Sequence, residues 1–272
     1  MDHPPAWLWP RAAYVHVPFC AHRCNYCDFA IAVGQESLIE LYLDALSAEL
    51  ATLGTPQSVQ TVFLGGGTPT YLSAAQLDRL LGDVTRWLPA EPGHEFTVEA
   101  NPGTLDADKV TVLAGHGVTR ISLGAQSFHP HLLRALERDH APQDVPRAVE
   151  IVRKRIGQVS LDLIFGIPGQ TESEWQDDLE RALGLGPDHL STYGLTYEKG
   201  TPLWKRRDRG EIIPLGEEQE LALYARSIDT LEAAGFEHYE ISNFALPGRR
   251  SRHNQVYWAN EAYFGFGMGA AR

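Results

Sequence analysis

The chain has 272 residues, 43% of them hydrophobic and 21% charged, and a formal net charge of −12 at pH 7. This composition is typical of a folded domain, and the acidic balance disfavours nucleic acid as a partner because phosphate binding needs lysine and arginine clusters. The basic cluster at 205–209 is interrupted by Asp208, and we interpret it as a solvated face. No apolar stretch approaches the ~20 residues of a membrane span, and the N-terminus makes a poor signal peptide. We therefore expect a cytoplasmic protein.

Strand and helix signals alternate along the chain. Strands are predicted at 12–17, 59–67, 94–102, 119–128, 159–169 and 189–197, and helices at 37–54, 73–84, 106–117, within 128–154, at 174–186 and at 217–234. Ser73 with Gln76, and Thr171 with Glu174, have the spacing of capping boxes. A further strand is predicted within 236–245. Six β–α units in series indicate a parallel sheet, because parallel neighbours need crossover helices.

The positions of the unusual residues favour a barrel over an open doubly wound sheet. The cysteines follow the first predicted strand, and a glycine run ending at Thr68 follows the second. Glu99 ends the third strand, Gln126 ends the fourth and Asp162 lies in the fifth. In barrels, functional residues collect at the carboxyl ends of the strands. We therefore predict an α/β fold, a partial (β/α)6 TIM-like barrel around one central pocket.

The three cysteines of the chain, Cys20, Cys24 and Cys27, lie within eight residues with the spacing C-x3-C-x2-C. An odd number of clustered thiols suits a metal site better than a disulfide scaffold, and thiolates select iron–sulfur clusters, zinc or copper. His16 and His22 could complete a zinc site, and inert buried cysteines are a third interpretation. A 4Fe–4S cluster normally takes four cysteines. Three cysteines would leave one iron open to another molecule.

Seven motifs in this order resemble the radical S-adenosylmethionine (SAM) proteins. They are YVHVPFCAHRCNYC, FLGGGTPT, FTVEANP, RISLGAQSF, LERDH, LDLIFGIPGQ and RHNQVYW, and they span residues 14–258. The chain is most similar to the branch that holds anaerobic coproporphyrinogen III dehydrogenase and the HemW-type haem chaperones. This resemblance implies a radical SAM barrel with a 4Fe–4S cluster, SAM and, in the chaperones, haem as ligands.

The resemblance also implies roles for particular residues. Cys20, Cys24 and Cys27 would hold the cluster, and SAM would chelate its open iron. The residues implied as SAM contacts are Tyr14, Tyr26, Gly66, Gly67, Thr68, Glu99, Gln126, Arg138 and Asp162. Taken alone, several have ordinary explanations, such as a tight glycine turn or a solvated acid at a strand end. Asp162 is the most telling, because a charge inside an apolar strand is costly unless it is paired or functional.

Two departures favour the chaperone branch. The dehydrogenase typically has another cysteine two residues after the third, where this chain has Phe29, and it has a longer segment before the cluster. His253, Tyr257 and Trp258 match the H-N-x-x-Y-W stretch of the chaperone group. The resemblance implies haem binding there, with the imidazole as a candidate axial ligand. An interior polar and aromatic cluster is the alternative for these three residues.

The implied function is a haem chaperone that delivers haem to respiratory enzymes. Its partners would be haem and those acceptor enzymes, some of which would be located at the membrane. The alternative is oxygen-independent coproporphyrinogen III dehydrogenase, which decarboxylates propionate side chains. A tRNA-modifying enzyme is disfavoured by the acidity of the chain.

We expect residues 1–198 to form the core barrel. Residues 199–272 would form a barrel extension and the start of a truncated C-terminal domain, since relatives usually continue for about a hundred residues, a common domain size.

Overall fold

The computed structural model describes residues 8–271 of the chain. In that range the strands are β1 (Ala12–Val17), β2 (Phe19–Cys20), β3 (Ala32–Val33), β4 (Val59–Gly66), β5 (Ala90–Ala100), β6 (Arg120–Gln126), β7 (Gln158–Phe165), β8 (His189–Gly194), β9 (Glu237–His238), β10 (Asn243–Ala245) and β11 (Phe264–Phe266). The α-helices are α1 (Ile39–Ala51), α2 (Ala74–Trp87), α3 (Ala107–Gly115), α4 (Pro130–Ala135), α5 (Asp144–Arg153), α6 (Glu172–Gly184), α7 (Pro202–Asp208), α8 (Glu217–Ala233) and α9 (Arg252–Trp258). Short 3-10 helices lie at Glu36–Leu38, Pro69–Tyr71 and Pro102–Thr104.

The main sheet has six parallel strands in chain order, β1, β4, β5, β6, β7 and β8. The short strand β11 joins in parallel beside β1, while β10 and β9 continue the sheet beyond β8 in antiparallel pairing. This order confirms the predicted parallel α/β fold, and it is consistent with a partial barrel. The late strand predicted within 236–245 is instead two short strands at the sheet edge.

The strands present an apolar outer face to the helices and a more polar inner face. In β4, Val62 and Leu64 belong to the main apolar core, whereas Phe63 points the opposite way and stacks on the ring of His253. Period-two alternation in an extended strand causes this division. In β1, Val15 and Val17 are likewise in the core. The inner face therefore carries the side chains with functional chemistry.

Both predicted capping boxes are present. The Ser73 hydroxyl accepts a hydrogen bond from the Gln76 backbone N–H, and the Gln76 side-chain oxygen accepts one from the Ser73 backbone N–H. Thr171 and Glu174 form the same pair of hydrogen bonds at the start of α6. Each box satisfies two amide groups that the first helical turn leaves without partners, so the caps fix where the two helices begin.

A buried ion pair closes the amino-terminal end of the sheet. The side chains of Arg120 and Glu95 are 4% and 6% exposed, and their charged groups lie 3.2 Å apart. Both Glu95 carboxylate oxygens accept from backbone amides at the start of α9, Arg252 N and His253 N, each at 3.0 Å. A carboxylate at a helix amino terminus is favoured by the helix dipole. These bonds hold α9 against the end of the sheet.

None of the helices in residues 8–271 combines the length and the apolar character that crossing a membrane requires. The basic cluster lies on and just after α7, where Lys205, Arg207 and Arg209 are exposed. This is the solvated face that its composition predicts.

Candidate functional site

The cysteines lie on one loop whose two ends are tied together. Residues 19–20 pair with residues 32–33, and Ala32 N donates to Pro18 O at 2.7 Å. Within the loop, a turn brings Cys27 N to 3.2 Å from Cys24 O. The three thiols are free, without a disulfide. The site therefore has three cysteines on a closed loop after β1.

Burial favours the neutral form of two of the thiols, Cys20 and Cys27. Burial raises the pKa of Cys20 to about 11 and also raises that of Cys27. In the absence of a metal these thiols stay protonated at pH 7, and a bound metal would displace the protons because only the thiolate is a strong ligand.

Two polar side chains approach the cysteine sulfurs. Thr68, just after β4, has its hydroxyl oxygen 3.5 Å from Cys20 Sγ. Arg138 donates from Nη1 to Cys24 Sγ at 3.4 Å and from Nη2 to Gly124 O at 2.8 Å. Hydrogen bonds to cysteine sulfurs stabilise the thiolate and influence the electronic properties of a bound metal. The resemblance had assigned Thr68 and Arg138 to SAM, and both lie beside the cysteines.

Unusual backbone conformations place Gln126 and Arg138. Gln126 ends β6 with φ of 62°, next to a register irregularity between Gly124 and Gln126. The Gln126 side chain lies close to Gly124: a Cβ added to Gly124 would be 2.9 Å from Gln126 Nε2. Glu137 has φ of 51°, and Arg138 N then donates to Leu133 O, which ends the helix and turns Arg138 inward. Bulges and left-handed residues of this kind often re-aim side chains beside functional sites.

The glycine run makes room for neighbouring groups. Gly66 has φ of +107°, and a Cβ on it would meet the His16 ring at 2.4 Å. A Cβ on Gly67 would lie 2.7 Å from the backbone of Pro18 and Phe19, which lead into the cysteine loop. Side-chain-free residues are therefore required where β4 passes the loop.

Two partly buried carboxyl groups lie on the inner face near the cysteines. Glu99 accepts from Gly66 N at 3.0 Å, and burial together with the nearby Asp162 raises the pKa of Glu99 to about 8. Burial also raises the pKa of Asp162 to about 6, although hydrogen bonds from Ser191 and Ser122 act in the opposite direction. A positively charged ligand between these groups would favour their ionised forms. The pair is suited to bind a cation.

The two tyrosines that the resemblance assigns to SAM occupy different parts of the site. Tyr14 lies on the inner face beside His16, with its hydroxyl 3.0 Å from His16 Nδ1. His16 Nε2 donates to Ala30 O at 2.8 Å, so His16 is a hydrogen-bonded interior residue that also holds the cysteine loop. Tyr26 packs against a smaller apolar cluster and lies near the Arg138 guanidinium.

A cavity of about 580 Å³ opens beside these residues. It is lined by Tyr14, His16, Phe29, Ala30, Gly66, Glu99, Tyr257, Asn260, Glu261, Tyr263, Gly269 and Ala271. Three implied SAM contacts, Tyr14, Gly66 and Glu99, therefore share a cavity with Tyr257, one of the residues implied in haem binding. The volume is in the range of small-molecule and cofactor sites.

His253 is fully buried, and both of its ring nitrogens have partners. Nδ1 lies 2.9 Å from the Thr61 hydroxyl and Nε2 lies 2.9 Å from the Tyr257 hydroxyl. Burial lowers the pKa of His253 to about 3, so the ring is neutral at pH 7. In this conformation both ring nitrogens contact hydroxyl groups, as the interior polar and aromatic cluster of the alternative would require, and the role of His253 as an axial haem ligand stays a prediction. Trp258 is 45% exposed and contacts Tyr239.

The sequence reasoning missed residues that hold or line the site. Asn25 is buried within the cysteine loop, donates from Nδ2 to Ala135 O at 2.6 Å and accepts through its backbone oxygen from Leu203 N at 2.9 Å. An asparagine between two metal-ligand positions is a weak signal for such an anchor. Asn260 and Tyr263 line the cavity after the last motif, where no spacing pattern pointed to them.

The donor set suits a 4Fe–4S cluster. Such a cluster prefers cysteine sulfur ligands, and three free thiols lie on one loop. The side chains of Thr68 and Arg138 hydrogen bond to two of those sulfurs. His16, a zinc-ligand candidate, uses both ring nitrogens in internal contacts. His22 is exposed on the loop. The surroundings thus favour a three-thiolate site over a Cys3His zinc site.

The family model of the radical SAM superfamily matches residues 14–182. The chain belongs to the radical SAM superfamily, in the coproporphyrinogen III oxidase-like family that includes the HemW proteins. It is 42% identical over 272 residues to the heme chaperone HemW of Synechocystis sp., covering 97% of this chain and 66% of that protein. It is 43% identical over 267 residues to the heme chaperone HemW of Bacillus subtilis, covering 96% and 70%.

A solved structure gives the same family. Coproporphyrinogen III oxidase (HemN) from Escherichia coli, a radical SAM enzyme, superposes with a TM-score of 0.83 at 25% identity, covering 97% of this chain and 64% of that one. The chain thus spans about two thirds of the length of these relatives. The resemblance to the radical SAM proteins that the motifs indicated is confirmed.

Proposed function

We propose that this chain forms the radical SAM part of a haem chaperone. It would bind a 4Fe–4S cluster through Cys20, Cys24 and Cys27, bind SAM beside it, and pass haem to respiratory enzymes in the cytoplasm or at the membrane. The observation that supports this most strongly is that the cysteine loop, Arg138 and the carboxyl groups of Glu99 and Asp162 lie in one site. The similarity to proteins named heme chaperone supports the choice of haem as cargo.

The inner face would hold SAM mainly through charge. SAM carries a sulfonium and an ammonium group, and Glu99 and Asp162 are carboxyls whose ionisation a cation would favour. Gly66 and Gly67 would let the ligand approach the backbone, and Tyr14 would pack at its edge. Arg138 would keep Cys24 and the Gly124 carbonyl in fixed positions.

When bound, the cluster supplies the electron for reductive chemistry on SAM. The residues of the chain have other tasks: Thr68 and Arg138 support the sulfurs, and the carboxyls orient the positive ligand. The cavity beside Tyr14, Glu99 and Tyr257 would admit part of a larger aromatic ligand, whose faces suit tyrosine rings. We propose Tyr257 and Trp258 as haem contacts, because both are partly exposed and His253 is enclosed.

The alternative proposal is a coproporphyrinogen III dehydrogenase, which the overall similarity to HemN favours. Two assays on the anaerobically reconstituted chain separate the candidates. Transfer of bound haem to a haem-free acceptor protein, followed through the Soret band, supports the chaperone. Conversion of coproporphyrinogen III to protoporphyrinogen IX with SAM and reductant supports the enzyme and would overturn the chaperone proposal.

SAM binding is tested separately by equilibrium dialysis of the reconstituted protein. Asp162→Asn removes an ionisable carboxyl group from the site, and we expect it to weaken SAM binding at least tenfold, about 1.4 kcal/mol. Asp108→Asn, at an exposed position on α3, is the control and should bind like the unaltered chain. Equal affinities for both variants would contradict the assignment of the inner face to SAM.

A further inference from the structure

A second group of metal-ligating side chains lies where β6 leads into α4. His129 and His131 flank Pro130 at the start of α4, and Glu174 lies in the first turn of α6. One nitrogen from each histidine and one oxygen from Glu174 all lie within 4.8 Å of one another. The two histidine rings have centroids 5.9 Å apart. The sequence reasoning noted Glu174 only as a helix cap.

The contacts already bring the ligand atoms close to one another. His131 Nε2 lies 3.1 Å from Glu174 Oε1, and His129 Nε2 lies 3.1 Å from Asp177 Oδ2. The other Glu174 oxygen accepts from Thr171 N in the capping box, so the carboxylate is held in one orientation. With metal–ligand distances of about 2.1 Å, ligand atoms around a tetrahedral ion lie roughly 3.4 Å apart. The 3.1 Å separation of His131 Nε2 and Glu174 Oε1 is already close to that spacing.

The two elements that carry the ligands are joined by a buried carboxylate. Asp178 on α6 has a fully buried side chain. It accepts from Phe128 N at 2.6 Å and from the Ser127 hydroxyl at 2.8 Å. These bonds fix the residues just before His129 relative to the first turns of α6. A site on rigidly connected elements loses little conformational freedom when it binds an ion.

We propose that His129, His131 and Glu174 bind one divalent first-row metal ion, zinc in the first instance, with Asp177 as a further ligand. Two imidazoles and a carboxylate are a ligand set that zinc uses in proteins. The bound ion would clamp α4 to α6. Arg138 follows α4 and contacts Cys24, so the clamp would also restrain the segment that supports the cysteine loop. This proposal does not depend on the haem-chaperone function.

The competing explanation is a set of histidine–carboxylate ion pairs without a metal. Cobalt(II) titration of the anaerobic full chain distinguishes the two, because cobalt bound by nitrogen and oxygen gives weak visible bands. Cobalt bound by the cysteines would add an intense near-ultraviolet thiolate band, which is scored separately. We expect one equivalent of nitrogen- and oxygen-bound cobalt, displaced by zinc. Thermal stability should also rise with zinc, because an ion that binds only the folded state stabilises it.

The variants make the test specific. His129→Ala with His131→Ala should abolish the bands of nitrogen- and oxygen-bound cobalt and reduce the thermal shift by zinc. His131 is half-exposed, and His131→Ala alone should weaken binding at this site at least tenfold. His116→Ala is the matched control, because His116 pairs with Asp78 at 2.7 Å and is not part of this three-residue group. The proposal is overturned if the bands are absent in the folded wild-type chain, if His131→Ala binds cobalt with unchanged affinity, or if the affinity falls equally in the control.

Discussion

Replacing Glu99 by glutamine should remove a pH-dependent cost that the partly buried carboxyl imposes on the stability of the fold. The glutamine amide would keep an oxygen to accept from Gly66 N. The pKa of Glu99 is raised from 4.5 to about 8 in the folded chain by burial and by nearby Asp162. Between those values the folded state holds a proton that the unfolded state has released, so the free energy of unfolding falls as pH rises. At about 1.4 kcal/mol per pKa unit the full shift corresponds to about 5 kcal/mol, of which about 4 kcal/mol is lost between pH 5 and pH 9.

The assay is urea unfolding of the metal-free, reduced chain at intervals from pH 5 to pH 9. We expect Glu99→Gln and the wild-type chain to have similar stability at pH 5, and the variant to be more stable by about 4 kcal/mol at pH 9. Glu91→Gln, nearer the start of the same strand, is the control and should follow the wild-type profile. A stability difference between Glu99→Gln and wild type that stays constant across the range would refute the reasoning.

Three further substitutions test other parts of the structure. Glu95→Ala leaves the buried Arg120 without its ion-pair partner and should lower the free energy of unfolding by about 3–5 kcal/mol in the same urea assay. Glu237→Ala is the control: it removes a surface ion pair and should change that free energy by less than about 1 kcal/mol. Gly67→Ala introduces a Cβ 2.7 Å from the backbone that enters the cysteine loop. It should lower the free energy of unfolding by about 1–3 kcal/mol and impair cluster assembly, measured by absorbance near 400 nm. Gly184→Ala places its Cβ in open space and should have neither effect. Arg138→Gln removes the bond to Cys24 Sγ and should shift the reduction potential of a reconstituted cluster, measured by redox titration, while an unchanged potential would show that this bond has no electronic effect.

Local sequence signals were sufficient for most of the fold. The six parallel strands, the helices between them and both capping boxes follow from periodicity, caps and glycines at the element ends. The short strands β2, β3 and β11 carry two or three residues each, too few for a periodic pattern, and their pairing depends on distant partners. For the same reason the hairpin of β10 and β9 was predicted as one strand.

The site could be predicted where chemistry and spacing coincide. The three cysteines and Asp162 stand out from the sequence alone, because clustered thiols and a charge in an apolar strand both need a reason. The sequence left two interpretations of His253 open, a haem ligand and a member of an interior cluster. Tyr257 is four residues further along the same helix, but the contact with Thr61 on β4 depends on the tertiary fold and could not be predicted. The anchoring of the cysteine loop by Asn25 likewise depends on tertiary contacts.

The most direct test of the central claim is iron and sulfide analysis of the anaerobically reconstituted chain, combined with electron paramagnetic resonance of the reduced protein with and without SAM. A three-cysteine cluster with an open iron predicts four irons and four sulfides per chain and a spectrum that changes when SAM is added. One zinc without sulfide, or a cluster signal that SAM leaves unchanged, would contradict the account.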